Sequence, residues 1–535
     1  MAKKTVLVGL DGLGWDILSP MVGADRLPTV CSLREEGTGG DLESTHPPWT
    51  PCAWPSLQSG RNPGSHGVFD FFTRDGYEKR LIDRRDVDAP YLPDVAEAEG
   101  KSVISINFPV THPVPEYENG AVVPGYLATE DAEWHPEGLR AEYESEYGKY
   151  RIYPEYGTGE DVVEEFVDVA RCRRDVATFL DSKFDWDLLA VQFQVTDSVF
   201  HDVNDPEKWY DVLEEVDGFV GDIVGLADDP NVFVVSDHGM GKYDWTFYVN
   251  TWLAEEGYCE TTEGEPEYLQ MKKEELKAED GAESANSSAL TSVLRTGVSL
   301  SSKVGLGPQR IHSILSTVGL APHVTRLLPD NALLAAQNET VDWERSDAFQ
   351  IFFNSCGIHL NKAGREPAGT LDDDAYEALR EELIEKLEAL EDPDGQCVFS
   401  AVERKEAVYD GAHFEDAPDI VLFPREYQYD VSGSILGPFR RNDHMNHRPQ
   451  GIVVAAGPDI EPVELVDASI VDIAPTVAAT MGLPVDTDRD GTVLSTTDRE
   501  YEEDTWDELV DASWGETSYD ESAVEERLAD LGYME

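Results

Sequence analysis

Basic residues are scarce in this chain. It has 41 Lys and Arg against 108 Asp and Glu over 535 residues, a formal net charge of -67. The acids run along the whole length and do not gather in one tail. A field of that sign repels nucleic acid and anionic membranes, so neither is an expected partner. It suits a molar-salt cytoplasm, where ions screen charges within about 3 Å. No CxxC pair occurs among the six cysteines, which excludes a zinc-thiolate site and a disulfide framework and points to reduced thiols. No apolar run approaches the roughly 18 residues that span a bilayer, so no transmembrane segment is expected. The opening MAKKTVLVGLDG loses its apolar run at Asp11, too early for a signal peptide, and reads as a first strand of a soluble, cytoplasmic protein. One absence is local. Residues 284–329 contain no Asp or Glu, although about 9 would fall there at the chain average.

What is present is a large folded chain, 41% apolar with 11 Trp. TVLVGLDGLG (5–14), SVISINFP (102–109), DLLAVQFQVTD (187–197), NVFVVSDHG (231–239), DIVLFP (419–424) and GIVVAAGP (451–458) read as buried strands. Helical stretches at 161–182 and 374–390 lie between them. This alternation predicts an α/β fold with a mostly parallel central sheet and helices on both faces. Residues 251–345 interrupt it and read as a mainly helical insertion. Its acid-free part forms either a cap over a site, meeting an anionic or lipid-linked substrate with Arg310 and Arg326, or a buried interface. The expected organisation is a core of 1–250 and 346–496, the insertion 251–345, and an acidic, peripheral tail 497–535.

Three strand runs end in acids. Asp11 closes the first, Asp197 closes DLLAVQFQVTD with His201 four residues on, and Asp237 and His238 close NVFVVSD. Beyond the carboxyl ends of parallel strands, residues distant in sequence converge. Asp and His offer the oxygen and nitrogen donors that zinc and manganese prefer. Taken singly, an Asp that ends a strand is more often a helix cap or a turn former.

The stretches VLVGLDGLGWD (6–16), TPCAWPSLQSGRNPGSHGVFDFF (50–72), FQVTDSVFH (193–201), VVSDHGMG (234–241), HRPQGIVVAAGP (447–458) and VDIAPTVAATMGLPVDTDRDG (471–491) occur in this order. Together they resemble the alkaline phosphatase superfamily, most closely its type I phosphodiesterase/nucleotide pyrophosphatase branch. The resemblance implies two divalent metal ions, zinc or else manganese. Asp11, Asp237 and His238 would hold one together with the nucleophile; Asp197, His201 and His447 would hold the other. His444, three residues before His447, competes for that last place, and the HRPQG context favours His447. Counting back from SGRNPGSHG puts Thr50 at the nucleophile position. Pro51 after it suits the first turn of a helix, where the threonine would otherwise be an N-cap.

Other nucleophiles stand nearby. Cys52 lacks the Pro and Arg of the sulfatase CxPxR motif, and Ser56 and Ser59 fall one to two turns deeper in the helix, as structural residues. Nucleotide pyrophosphatases carry TFPN where this chain has TPCA. Ala53 therefore replaces an Asn that holds phosphoryl oxygens, which weakens the transfer of a nucleotide substrate. Asn107 is a candidate donor in its stead. The implied activity is hydrolysis of phosphate esters through a phosphothreonine on Thr50. The substrate would be a small phosphorylated molecule: a nucleotide, a sugar nucleotide, or a glycan- or lipid-linked phosphate. A phosphomonoesterase or phosphomutase of the same superfamily, or a binding protein that kept the fold, are the alternatives, and an oligomer is compatible with each.

Overall fold

The structure is a computed structural model and describes residues 3–154, 162–263, 339–352 and 355–510. Nine strands and five helices set the frame of the site. The strands are β1 (Thr5–Leu10), β2 (Thr38–Glu43), β3 (Val103–Ile106), β4 (Gly120–Val123), β5 (Leu188–Phe193), β6 (Asn231–Val235), β7 (Gly239–Lys242), β8 (Met445–Arg448) and β9 (Gln450–Ala456). The helices are α1 (Thr50–Ser59), α2 (Val162–Asp181), α3 (Val195–Asp202), α4 (Pro206–Val224) and α5 (Ile473–Met481).

Seven strands form the central sheet in the order β2-β9-β6-β1-β5-β3-β4. The run from β6 to β4 is parallel, while β9 joins β6, and β2 joins β9, antiparallel. The expected mixed α/β fold with a mostly parallel sheet is the observed one. β1 explains the layering. All six of its residues are buried. Val6 and Val8 face the apolar stripes of α2 and α4, whereas Leu7 packs with Trp54 and Leu57 of α1 and with Ile473 and Val477 of α5. In α2 the stripe is Phe166, Val169, Ala170, Val176, Ala177 and Leu180, at helical spacing.

Two expectations require correction. DIVLFP does not join the central sheet; Ile420–Pro424 lies in a separate four-stranded sheet, antiparallel to both of its neighbours there. A continuous apolar run marks burial on both faces and carries no information about which sheet supplies it. The start of the expected peripheral tail is packed against the core. Trp506 is only 1% exposed, its indole N–H donates to the Pro484 carbonyl, and Glu503–Asp504 pairs with Val485–Asp486. One large ring buried against apolar side chains outweighs the acidic composition around it.

The ends of the predicted insertion meet, with Thr261–Glu263 antiparallel to Glu339–Val341. Its acid-free stretch 284–329 lies outside the described residues, as does the tail beyond Val510. No described helix is long and apolar enough to cross a membrane.

Candidate metal centre

β1, β5 and β6 are adjacent and parallel, so their carboxyl ends open onto one edge of the sheet. Asp11 follows β1, Ser236 and Asp237 follow β6, and α3 starts two residues after β5. Asp197 and His201 share one face of α3, four residues apart. The fourth contributor arrives from far along the chain. β8 pairs with β7 and sets His447 opposite Met240, next to the β6 turn. Gly12 makes the convergence sterically feasible. It turns with φ +70°, and a Cβ there would meet Asp197 Oδ1 at 2.9 Å.

The resulting groups are Asp11–Asp237–His238 and Asp197–His238–His447, each with its ligand atoms within 4.8 Å of one another. His238 Nε2 lies 3.2 Å from Asp237 Oδ2 and 3.5 Å from Asp11 Oδ1. Asp197 Oδ1 lies 3.4 Å from both His201 Nε2 and His447 Nε2. The rings of His238 and His447 stack at 3.8 Å, so the two groups abut. Asp11, Asp237, His238 and His447 are fully buried and Asp197 nearly so. Neither His201 nor His444 belongs to these groups, although His201 Nε2 lies 3.3 Å from His447 Nε2.

Electrostatics and tautomers fit a cation. Burial raises Asp11 and Asp237 well above the usual carboxylate range, and neighbouring carboxylates raise them further. Burial would raise Asp197 too, but His201 and His447 override it and hold it well below that range. Burial depresses His238 and His447, leaving neutral imidazoles. His238 Nδ1 lies 3.1 Å from the Gly239 carbonyl and His447 Nδ1 3.1 Å from that of Pro48. A carbonyl requires a donor, so both Nδ1 atoms carry the proton and both Nε2 lone pairs face the cluster. Asp11 Oδ1 and Asp237 Oδ2 are buried without a hydrogen-bond partner. Orphaned buried carboxylate oxygens are costly unless a cation receives them.

Thr50 is the first residue of α1, and its Oγ1 lies 3.4 Å from His238 Nε2. The cap position falls on Trp49, whose side chain makes no cap bond, so Thr50 is not the N-cap. Its hydroxyl is available to the cluster instead. Ser56 Oγ meets His66 Nε2 at 2.8 Å and Ser59 Oγ donates to the Pro55 carbonyl, both structural contacts. Cys52 is fully buried and burial raises its thiol well above normal, which makes it a poor nucleophile. Asn107 is not a free donor. Its amide donates to the backbone carbonyl and to Oε1 of Gln192, at 3.1 and 2.7 Å.

Trp54 and Gln192 are contributors the sequence reading missed. Both donate to Asp11 Oδ2, at 2.9 and 2.7 Å. The signal for Trp54 is Gly9, where a Cβ would meet the indole ring at 2.4 Å. Volume does not mark the centre. A cavity of about 590 Å³ is lined by Phe69, Phe72, Arg74, Arg85, Phe352 and other residues, but by none of the cluster.

The surroundings also hold a carboxyl under strain. Asp70, near Cys52, is 4% exposed, and burial pushes it up to about 7. An acid whose folded pKa is raised contributes its full stability below its unfolded pKa, near 3.8, and loses it as pH rises through about 7. Asp70→Asn is therefore expected to raise thermal stability above about pH 7, by up to about 4 kcal/mol, and to change it little below about pH 4. Unfolding curves of both proteins across that range check this; an equal shift at all pH values would refute it.

A family model described as type I phosphodiesterase / nucleotide pyrophosphatase matches residues 5–312, more than half of the chain. No curated protein matches it. Among solved structures, phosphonoacetate hydrolase from Sinorhizobium meliloti 1021 in complex with phosphonoformate aligns with a TM-score of 0.52 at 12% identity, over 88% of this chain and 94% of that one. Murine ectonucleotide pyrophosphatase / phosphodiesterase 5 aligns with a TM-score of 0.47 at 14% identity, over 90% and 96%. At such identities the likeness to the phosphonoacetate hydrolase is one of fold.

Proposed function

Because the chain belongs to the type I phosphodiesterase/nucleotide pyrophosphatase family, and is thus a hydrolase of phosphoric ester bonds, we propose that it cleaves small phosphate diesters through a covalent intermediate on Thr50. The family is metal-dependent. We assign Asp11, Asp237, His238 and Thr50 to one divalent cation and Asp197, His201 and His447 to a second, with zinc favoured by the Asp/His donor set and manganese next. The supporting observation is the placement of Thr50 Oγ1 beside a buried cluster that contains two unpartnered carboxylate oxygens.

Bound cations would supply acidification of the Thr50 hydroxyl and neutralisation of charge on the phosphoryl and leaving oxygens. Thr50 sits where the α1 dipole is positive, which favours its alkoxide and an approaching anion. Thr50 Oγ1 attacks phosphorus in line, the P–O bond to the leaving alcohol breaks, and that oxygen takes up a proton. Water then attacks the phosphothreonine, releasing phosphate monoester and restoring the hydroxyl. Burial of Thr50, Asp11, Asp197, Asp237, His238 and His447 excludes bulk water and strengthens each interaction, while His201 is partly exposed.

A local positive charge is required for an anion to enter a protein of charge -67. Nucleotides, sugar nucleotides and glycan- or lipid-linked phosphates all meet the chemistry. Six free cysteines and the net charge support a halophilic cytoplasm as its setting.

The test is turnover of bis-p-nitrophenyl phosphate against p-nitrophenyl phosphate, in molar KCl with zinc or manganese. Faster hydrolysis of the diester is expected. Preference for the monoester would make the protein a phosphomonoesterase with the same nucleophile. Cation binding without turnover of either ester would leave a binding protein.

A further inference from the structure

Gln192 is fully buried at the end of β5, beside Gly9 of β1. Its Nε2 donates to Asp11 Oδ2 at 2.7 Å and to Gln194 Oε1 at 3.2 Å. Gln194 Nε2 in turn donates to Asp197 Oδ2 at 3.4 Å. On the other side, Gln192 Oε1 accepts from Asn107 Nδ2 at 2.7 Å, and Asn107 Oδ1 accepts from the Tyr150 hydroxyl at 3.4 Å. Chemistry forces the direction of this chain. As the ionised ligand of a cation Asp11 can only accept, so Gln192 must turn its amide nitrogen to it. That places Oε1 towards Asn107, which must then present its own nitrogen.

We infer that Gln192 is a positioning residue that joins the two candidate cation sites. One side-chain amide anchors the non-ligating oxygen of Asp11 directly and that of Asp197 through Gln194. Asp11 Oδ1 is thereby turned towards His238, and Asp197 Oδ1 towards His201 and His447. Asn107 holds the amide in register, and its φ of +65°, a conformation Asn tolerates better than most residues, sets it at the end of β3. Glutamine suits the position because it adds a donor without adding a further negative charge among three buried carboxylates.

This rests on reading the two groups as cation sites, and cation affinity tests both ideas separately. Metal-free protein is titrated with zinc in molar KCl against a chromophoric chelator. Wild type is expected to bind two cations; if it binds none, the cation reading itself falls. Gln192→Met, of similar shape but without donors, is expected to weaken both sites by about 10–100-fold. Gln194→Met is expected to weaken only one. Wild-type affinities in Gln192→Met, or a loss confined to one site, would overturn the inference. Should Gln192→Met fail to fold, wild-type affinity at the Asp197 site in Gln194→Met would overturn it equally, because the link between the sites runs through Gln194.

Discussion

Thr50→Ala is expected to abolish ester turnover while leaving the fold intact. The loss in kcat should be at least about 10³-fold, equivalent to about 4 kcal/mol of barrier. The fold should survive because Thr50 Oγ1 makes no cap bond and alanine is a good helix former. Its one described side-chain contact is with His238 Nε2, at 3.4 Å. Thr50→Ser keeps the hydroxyl and should retain much of the activity. Rapid acid quench followed by mass spectrometry of the α1 peptide should find phosphate on Thr50 in wild type and none in the alanine variant. Turnover that persists in Thr50→Ala would remove Thr50 from the nucleophile position and reopen Cys52, despite its burial.

The second large effect is cation removal. His238 is assigned to the first cation and its ring stacks on that of His447, so His238→Ala should lose that cation and all measurable turnover. Chelation of the wild-type protein should expose a pH dependence of definite sign. Burial and mutual repulsion raise Asp11 and Asp237 in the folded chain. Without cations their contribution to stability is full below their unfolded pKa and is lost as pH rises through the folded values. Asp197 is lowered and works in the opposite direction, holding its contribution above its unfolded pKa. Cations reverse the balance for the first pair, because they bind deprotonated ligands and compete better as pH rises. Stabilisation by cations should thus be small near pH 5 and reach at least about 4 kcal/mol near pH 8, at a concentration about 1,000 times Kd. Thermal unfolding with and without chelator measures this. Coincident curves at every pH would mean that the cluster holds no cation.

The sheet edge was legible because its signal is local. TVLVGLDG, QFQVTD and VVSDHG each pair a buried apolar run with a carboxylate where the run stops, and parallel strands must end on one side. His447 was legible only through its motif context, since it arrives on β8, more than two hundred residues after His238. The choice over His444 depends on strand alternation. In β8 the chain pairs His447 with Met240 beside the cluster, whereas His444 lies outside the strand. DIVLFP misled because apolar continuity reports burial and not partnership.

Asn107 shows the limit most sharply. Its amide promised a donor near the phosphoryl group, and the fold commits it to Gln192 instead. The α/β class, the acids at the strand ends and the threonine at a helix start could be read from the chain alone, because each follows from the residue type and its immediate neighbours. The folded arrangement was needed to show which oxygen of Asp11 and of Asp237 lacks a hydrogen bond, which nitrogen of His238 and His447 carries the proton, and that Trp54, Gln192 and Gln194 hold the carboxylates of Asp11 and Asp197. Those outcomes depend on hydrogen bonds between residues far apart in the chain, and no local pattern encodes the direction in which an amide must point.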